Sequence, residues 1–259
     1  MAIDKSFNEG KEIIKVSDII QKYHRKYQTI IMTFQSRPLE FLLKNNLIEE
    51  IEDVTLGTSY VRIKLYNVKN NPEVIFIVSP IGAPTAVAAL EELTYMVDAK
   101  NIIAYGSCGV LDEEVVAQHL IVPLKAYRDE GVSYHYLKAS DYVEIKNHQF
   151  VSKVFEKNNL EFVKGNTWTT DAFYRETDIL FEKRKAEGCI SVEMEGSALE
   201  AFANFRHLNL YIFFYCSDAL NIEKYDKRIL GTAEEGRTTN FDIALLIARE
   251  IENETNKTK

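Results

Sequence analysis

The fold of this chain is decided by residues 189–200, which read CISVEMEGSALE. An apolar run followed directly by a segment rich in Ala, Leu and Glu predicts a buried strand that leads into a helix. Glu193 and Glu195 flank Met194 at the predicted turn. In open α/β sheets, ligands bind where the carboxyl ends of strands meet the amino ends of helices. Both glutamates are therefore candidate ligand-binding residues, although either could instead only stabilise the first helical turn through the helix dipole.

The alternation of strand and helix extends in both directions from this stretch. Apolar or alternating runs predict strands at 29–34, 59–66, 74–78, 101–105, 119–124, 161–167 and 210–216. Residues 79–85 lead into an Ala-rich helix that ends near residue 96, and further helical patterns lie at 149–157, 176–187 and 233–251. This order predicts an α/β protein with a largely parallel or mixed sheet covered by helices on both faces. Residues 1–27 are polar, with a short helical patch at 16–27, and are expected to form an N-terminal arm before a single domain at 28–259.

Composition limits the classes of function. The chain has 259 residues, 46% of them hydrophobic, which is enough to bury a sizeable core. A net charge of -8 without a Lys/Arg cluster argues against nucleic acid as a partner. The absence of an apolar run of about 20 residues argues against a membrane span. The chain start lacks a signal pattern, and three cysteines without metal-ligand spacing indicate buried free thiols, no metal site and a cytoplasmic protein.

Asp218 follows the apolar run 210–216 and is the strongest candidate for an acid. Burial at a strand end raises the pKa of a carboxyl and suits it to general acid catalysis near neutrality. The alternatives are a helix cap or a surface aspartate, but residues 219–228 read poorly as a helix. Together, Asp218 and Glu195 would supply a proton donor and an acceptor for hydroxyls. Such a pair suits the cleavage of a glycosidic bond.

Three further segments are candidates for ligand contact. Residues 106–109, GSCG, are predicted to form a tight turn whose glycines let backbone N–H groups approach a ligand, although such turns also arise for packing reasons. Ser36 and Pro38 predict a helix start, where Arg37 could meet an anion or simply be solvated. Residues 127–136 form an aromatic and charged loop that is unusually dense in functional groups.

Four motifs occur together in an order that resembles the nucleoside phosphorylase superfamily. They are GSCG at 106–109, TDAFY at 170–174, VEME at 192–195 and SD at 217–218. The chain is most similar to the hexameric bacterial purine nucleoside and uridine phosphorylase branch, over roughly residues 28–252. The resemblance implies a three-layer α/β sandwich with a mixed, barrel-like central sheet. It also implies a homo-oligomer, as a dimer or a trimer of dimers, whose active site is completed by a neighbouring subunit.

The resemblance assigns roles to nine residues. Glu195, Met194 and Glu193 would bind ribose, Phe173 and Ser217 the base, and Ser107 with Gly106 the phosphate, while Asp218 would protonate a purine at N7 with help from Arg237. Arg237 could equally be a solvated arginine in its turn. The uridine enzymes carry Gln and Arg where this chain has Thr177 and Ile179, so a purine is favoured. The implied activity is a pentosyltransferase of purine salvage, with inorganic phosphate as co-substrate and no other cofactor.

The chain departs from the family pattern at the phosphate. The usual arginine two residues before the Gly-Ser pair is Ala104, and Phe34–Pro38 replaces an early Gly-Asp-Pro-x-x-Arg loop. Arg37 is the expected substitute, with Arg62 from a neighbouring subunit as second choice. Hydrolysis, as in the nucleosidases, is the first alternative, but the glutamate that activates water there has no clear counterpart. A non-catalytic nucleoside-binding protein is the second alternative, and the retention of Asp218 argues against it.

Overall fold

A computed structural model of the chain describes residues 3–56, 63–111, 120–219 and 234–257. For residues 52–56, 217–219 and 234–239 it describes only the backbone. The strands are β1 (Thr29–Thr33), β2 (Ile48–Leu56), β3 (Ile63–Val68), β4 (Val74–Val78), β5 (Asn101–Val110), β6 (Leu120–Asp129), β7 (Tyr142–Glu144), β8 (Phe162–Thr170), β9 (Cys189–Glu193) and β10 (Asn209–Ala219). The helices are α1 (Val16–Ile19), α2 (Arg37–Lys44), α3 (Ala83–Val97), α4 (Ser133–Tyr136), α5 (His148–Lys157), α6 (Asp178–Ala186), α7 (Gly196–Phe205) and α8 (Glu234–Lys257), and short 3-10 helices cover Ile3–Lys5 and Phe173–Arg175.

The central sheet is mixed and partly closed on itself. The strands follow the order β10-β6-β8-β9-β5-β1-β4-β3-β2, with β7 beside β6. Because β10 also pairs with β5, the strands β5, β10, β6, β8 and β9 form a closed ring, and β1, β4, β3 and β2 extend from it. Helices α3 and α7 cover one apolar face of the sheet, while α2, α5 and α8 cover the other. The three-layer α/β sandwich with a barrel-like central sheet is thus confirmed.

Most predicted elements are confirmed, because hydrophobic periodicity reports local structure well. The run 189–200 is β9 followed by α7, and the fully buried β1 lies beside the largely buried β4 in parallel register. The strand β2 had not been predicted. Part of the predicted strand 59–66 and residue 119 lie outside the described residues. The three cysteines are free and buried, as predicted.

The predicted turn at 106–109 is wrong. Strand β5 continues to Val110, because β10 pairs with it in parallel as far as Ala219 while β9 pairs with Gly109 and Val110 on the other side. Pairing with β10 along the segment, and with β9 at Gly109, holds the glycines extended. Gly106 has a packing reason, since a Cβ there would lie 3.0 Å from Cδ2 of Phe34.

The charged and aromatic residues at 127–136, interpreted from the sequence as functional, have a structural role centred on Arg128. Strand β6 runs to Asp129, so the first part of the segment is not a loop. Arg128 is 2% exposed, and its guanidinium donates to Ser133 Oγ at 2.8 Å, to the Lys138 carbonyl at 2.7 Å and to Ser140 Oγ at 2.9 Å. It also lies over the ring of Tyr134 at 4.1 Å. The buried guanidinium must find acceptors for its N–H groups, and it therefore holds the chain between residues 133 and 140 in place.

The N-terminal arm lies against the body of the protein. Only Val16–Ile19 of the predicted helical patch is helical. The rest is held by backbone bonds such as Tyr23 N–H to the Met96 carbonyl at 2.9 Å, and by an ion pair of Glu12 with Arg206 at 2.9 Å. The arm therefore packs along α3 and α7, and the division at residue 27 stays a prediction.

Within the described ranges, no helix combines the length and apolarity that crossing a membrane requires. The same ranges contain no group of three or more His, Cys, Asp or Glu side chains arranged to hold a metal ion.

Glu200 in α7 makes the stability of the fold depend on pH. Its side chain is 2% exposed, and burial raises its pKa to about 7. A carboxyl whose pKa is raised in the folded state destabilises that state as pH rises through the interval between the unfolded and folded values. Glu200→Gln should therefore stabilise the protein at about pH 8, by on the order of 2 kcal/mol more than at about pH 4.5.

Thermal or denaturant unfolding at the two pH values measures this difference. The exposed Glu182→Gln on α6 removes the same charge from the surface and is the matched control. An equal response of both variants to pH would contradict the role assigned to Glu200.

Candidate functional site

Glu193 ends β9 and caps the helix that follows. Its Oε2 accepts the backbone N–H groups of Glu195 at 2.7 Å and Gly196 at 2.6 Å. Its Oε1 accepts the Thr169 hydroxyl at 2.5 Å, and Thr167 Oγ1 lies 3.4 Å away. Burial raises the pKa of Glu193, and these hydrogen bonds oppose that rise. Both carboxylate oxygens are thus engaged inside the protein, which is the helix-capping interpretation of this residue.

The capping carboxylate belongs to a buried polar network. Thr169 Oγ1 also accepts the Ser197 N–H at 3.0 Å, and the Ser197 hydroxyl donates to Glu130 Oε1 at 2.9 Å. Glu130 in turn accepts the backbone N–H of Val132 at 2.6 Å. Every member is at least partly buried, and satisfied buried networks specify one geometry. The network fixes the amino end of α7 relative to β8 and to the turn between β6 and α4.

Gly196 is required by the close approach of this carboxylate. A Cβ at position 196 would lie 2.9 Å from Glu193 Oε1, closer than real contacts allow. Glycine at position 196 therefore follows from the cap.

Glu195 lies where two strand-to-helix turns meet. It is the N-cap residue of α7, yet its own Oε1 accepts the N–H of Gly82, at the amino end of α3, at 2.6 Å. The side chain is 5% exposed. Burial and the nearby Glu193 raise its pKa to about 8, while the N–H groups of Gly82 and Met194 oppose the rise. In its ionised form this carboxyl is a strong acceptor for hydroxyl groups, because it is desolvated and held in place.

The strand register brings other predicted residues to the same edge of the ring. Asp218 pairs with Gly109, and Gly109 also pairs with Val192, the residue before Glu193. The backbone ends of β9 and β10 therefore flank β5, which carries the half-buried Ser107. The structure thus groups Glu193, Ser107 and the backbone of Asp218 around neighbouring strands.

The side chains of Ser217, Asp218 and Arg237 lie outside the described residues. Their backbones are at the carboxyl end of β10 and in the first turn of α8. Their roles in base binding and catalysis stay predictions.

The predicted base-stacking residue is accessible. Phe173 lies in the 3-10 helix after β8 and is 49% exposed, and its ring centroid is 4.0 Å from that of Tyr174. Asp171, two residues earlier, interacts electrostatically with Glu195 and accepts the Gly131 N–H at 3.0 Å. Phe173 therefore lies two residues from Asp171, whose carboxyl group interacts with Glu195, and the Phe173 ring is not packed in the core.

The predicted phosphate residues are less closely grouped. Arg37 is the first residue of α2 and exposed, and its N-cap residue Ser36 makes no side-chain capping bond. Ala104 is fully buried among apolar side chains. The site positions of Arg37 and the half-buried Met194 stay predictions, as does the contact of Gly106 with an anion.

Sequence reasoning missed the residues that hold the carboxylates. These are Gly82, Glu130, Thr167, Thr169 and Ser197. One signal was present: Thr167 and Thr169 alternate around the fully buried Trp168, which places both hydroxyls on one face of β8. The partners of those hydroxyls come from distant segments, and no local pattern identifies them.

Comparison with known proteins identifies the family. Residues 29–248 match the model of the phosphorylase superfamily, and the chain belongs to this superfamily. It is 28% identical over 180 residues to a DeoD-type purine nucleoside phosphorylase of Aliivibrio fischeri, covering 67% of this chain and 73% of the relative. It is 30% identical over 173 residues to the DeoD-type enzyme of Bacillus velezensis, covering 64% and 70%. The recognition made from four short motifs is confirmed.

The fold is shared with a solved nucleosidase. A crystal structure of AMP nucleosidase from Bacteroides thetaiotaomicron superposes with a TM-score of 0.68 at 17% identity, covering 90% of this chain and 91% of that one. The family thus indicates an enzyme that cleaves nucleosides.

The capping role of Glu193 makes a testable prediction. Glu193→Ala should lower the free energy of unfolding by about 1–3 kcal/mol, because buried N–H and hydroxyl donors lose their acceptor. Denaturant unfolding measures the loss, and the exposed Glu182→Ala is the control. Unchanged stability combined with lost nucleoside binding would instead make Glu193 a ligand contact.

Proposed function

We propose that this protein cleaves the N-glycosidic bond of purine nucleosides by phosphorolysis, giving free base and ribose or deoxyribose 1-phosphate. The observation that carries the proposal is the buried Glu195 carboxylate, held by the amino end of α3 at the carboxyl edge of the sheet. Membership of the phosphorylase superfamily and the similarity to DeoD-type purine nucleoside phosphorylases support it.

Glu195 binds the ribose in this proposal. A carboxylate can accept hydrogen bonds from two hydroxyls. Orientation of the ribose by these bonds favours the reaction as its anomeric carbon becomes cationic. Met194 packs under the sugar, and Phe173 stacks on the base. Glu193 contributes to the sugar pocket through its hydrogen bonds to the backbone of Glu195 and Gly196, which position Glu195.

Departure of the base requires a proton. Asp218, at the end of β10, donates it to N7 of the purine, and Arg237 in the first turn of α8 assists. Ser217 lines the base. Thr177 caps α6 through its hydroxyl, and Ile179 is 76% exposed, so neither resembles the Gln and Arg of uridine enzymes. A purine is therefore the proposed base.

The proposed nucleophile is phosphate rather than water. Ser107 and Gly106 line the phosphate site. Arg37 supplies the positive charge that an arginine supplies at the position of Ala104 in phosphorylases, because a phosphate dianion would be costly to bury without a cation. Hydrolysis is the second candidate. The buried, apolar surroundings of Ala104 favour it, since they leave no charge at the position where phosphorylases carry arginine. A nucleoside-binding protein without catalytic activity is the third candidate, and the presence of Asp218 argues against it.

The remaining expectations complete the proposal. The enzyme acts in purine salvage in the cytoplasm as a homo-oligomer, either a dimer or a trimer of dimers. Its substrates are a nucleoside and inorganic phosphate, and it needs no other cofactor. The three buried free thiols are consistent with a reducing compartment.

Incubation with inosine and adenosine, with and without phosphate, tests the function. Phosphorolysis predicts ribose 1-phosphate and strict dependence on phosphate. Free ribose released at full rate without phosphate would establish a nucleosidase. No cleavage of either nucleoside, with binding retained, would support the non-catalytic alternative.

The acid role of Asp218 is tested by Asp218→Asn. The amide cannot donate a carboxylic proton to N7, so turnover of a purine nucleoside should fall about 10² to 10⁴-fold while binding is kept. Steady-state kinetics and calorimetric binding measure the two quantities. Unimpaired turnover would remove Asp218 from the mechanism.

Arg37→Ala tests the proposed phosphate site. The substitution should raise the phosphate KM by roughly tenfold or more, because a charge-assisted contact is lost, and leave nucleoside affinity nearly unchanged. Varying phosphate at saturating inosine measures the effect. The exposed Arg175, in the 3-10 helix, offers a control as Arg175→Ala. An unchanged phosphate KM would assign the anion to another residue.

A further inference from the structure

Gly82 is the one backbone group outside the CISVEMEGSALE segment that donates a hydrogen bond to Glu195 among those that the structure describes. It is the N-cap residue of the 15-residue helix α3. The donor and acceptor are 113 residues apart in sequence and 2.6 Å apart in space. This contact joins the turn after β4 to the turn after β9.

Only glycine suits the backbone of this position. Gly82 has φ 106° and ψ 139°, a conformation that side-chain-bearing residues rarely adopt. Space is not the reason, because an added Cβ would lie 3.8 Å from Thr85 Oγ1 and 4.0 Å from Pro84 Cδ, which are ordinary contacts. A residue other than glycine would have to rotate either the peptide that carries the N–H or the helix that follows.

The turn around Gly82 is otherwise firmly held. The Thr85 hydroxyl lies 3.0 Å from both the Ile81 and the Gly82 carbonyls, and the Ala86 N–H donates to the Gly82 carbonyl at 3.1 Å. On the β4 side, the Ser79 N–H donates to the Thr33 carbonyl at 2.8 Å. The N–H of Gly82 thus has a fixed direction, and Glu195 is the group it meets.

We propose that Gly82 is a positioning residue for ribose recognition, which acts by holding Glu195 Oε1 so that the carboxylate receives the sugar hydroxyls. This proposal rests on the proposed function. Gly82 contributes no side chain and need not touch the sugar. Its effect on catalysis passes through Glu195 alone.

The variant Gly82→Ala tests this positioning, with Gly188→Ala as the matched control. Gly188 also has a positive φ, of 83°, and an added Cβ there meets only Asn166 Nδ2, at 3.6 Å. It lies before β9, at the opposite end of the strand from Glu193. Both substitutions impose backbone strain without a clash, but only Gly82→Ala displaces an N–H group that donates to Glu195.

The decisive readout is the preference for ribonucleosides over 2′-deoxyribonucleosides in kcat/KM. If Gly82 positions Glu195, Gly82→Ala lowers this preference about tenfold, because a misplaced carboxylate no longer discriminates for the 2′-hydroxyl. Gly188→Ala leaves the preference unchanged. In a Glu195→Gln background, Gly82→Ala has little further effect on it, since the two residues act as one unit. Equal losses for both sugars in Gly82→Ala would overturn the proposal.

A second readout is independent of turnover. In protein labelled with ¹³C at glutamate carboxyls, the Glu195 signal is identified by its absence from Glu195→Gln. Loss of the Gly82 donor should raise the pKa of Glu195 further, whereas Gly188→Ala should not change it. If the wild-type protein neither binds nor cleaves nucleosides, the proposed function fails. An unchanged titration of Glu195 in a folded Gly82→Ala would show that Gly82 does not hold it.

Discussion

Two buried carboxylates, two residues apart in sequence, are held at the amino ends of two different helices. Glu193 accepts the first N–H groups of α7, and Glu195 accepts the N–H of Gly82 at the start of α3. A buried carboxylate is costly unless donors compensate it, and free N–H groups at a helix amino end are costly unless an acceptor does. In this protein the carboxylates accept hydrogen bonds from these N–H groups, so the same bonds satisfy both. The positions of α3, α7 and β8 around this edge of the sheet depend on that pairing.

The two carboxylates have different capacities for chemistry. Glu193 has both oxygens engaged by protein donors and serves as the fixed point of the turn. Glu195 has one oxygen pinned by Gly82 and a pKa near 8. The closed ring of strands brings the backbone of Asp218 next to this pair through Gly109. Strands β9 and β10, on either side of β5, thus carry the proposed acceptor for sugar hydroxyls and the proposed proton donor for the base.

Local periodicity predicted much of the fold, and tertiary pairing decided the rest. The run 189–200, β1, β4, α3 and α5 were predictable because each is a strongly patterned segment. The extension of β5 through Gly106–Gly109 was not, because two glycines read as a turn unless strands on both sides supply hydrogen-bond partners. The segment 127–136 was interpreted as functional for a similar reason: the acceptors of Arg128 at 133, 138 and 140 are visible only once the chain is folded. For the site, motif order made Glu195 a candidate, while Gly82, more than one hundred residues away, carried no signal of its contact.

The account is tested most directly by a crystal structure with a purine C-nucleoside, whose carbon–carbon bond between base and sugar cannot be cleaved. The account predicts the 2′- and 3′-hydroxyls within about 2.6–3.2 Å of the Glu195 carboxylate, with Gly82 still bonded to Oε1. It also predicts Phe173 against the base and no direct bond from Glu193 to the sugar. A ribose bound elsewhere, with Glu195 contacting only the protein, would contradict it.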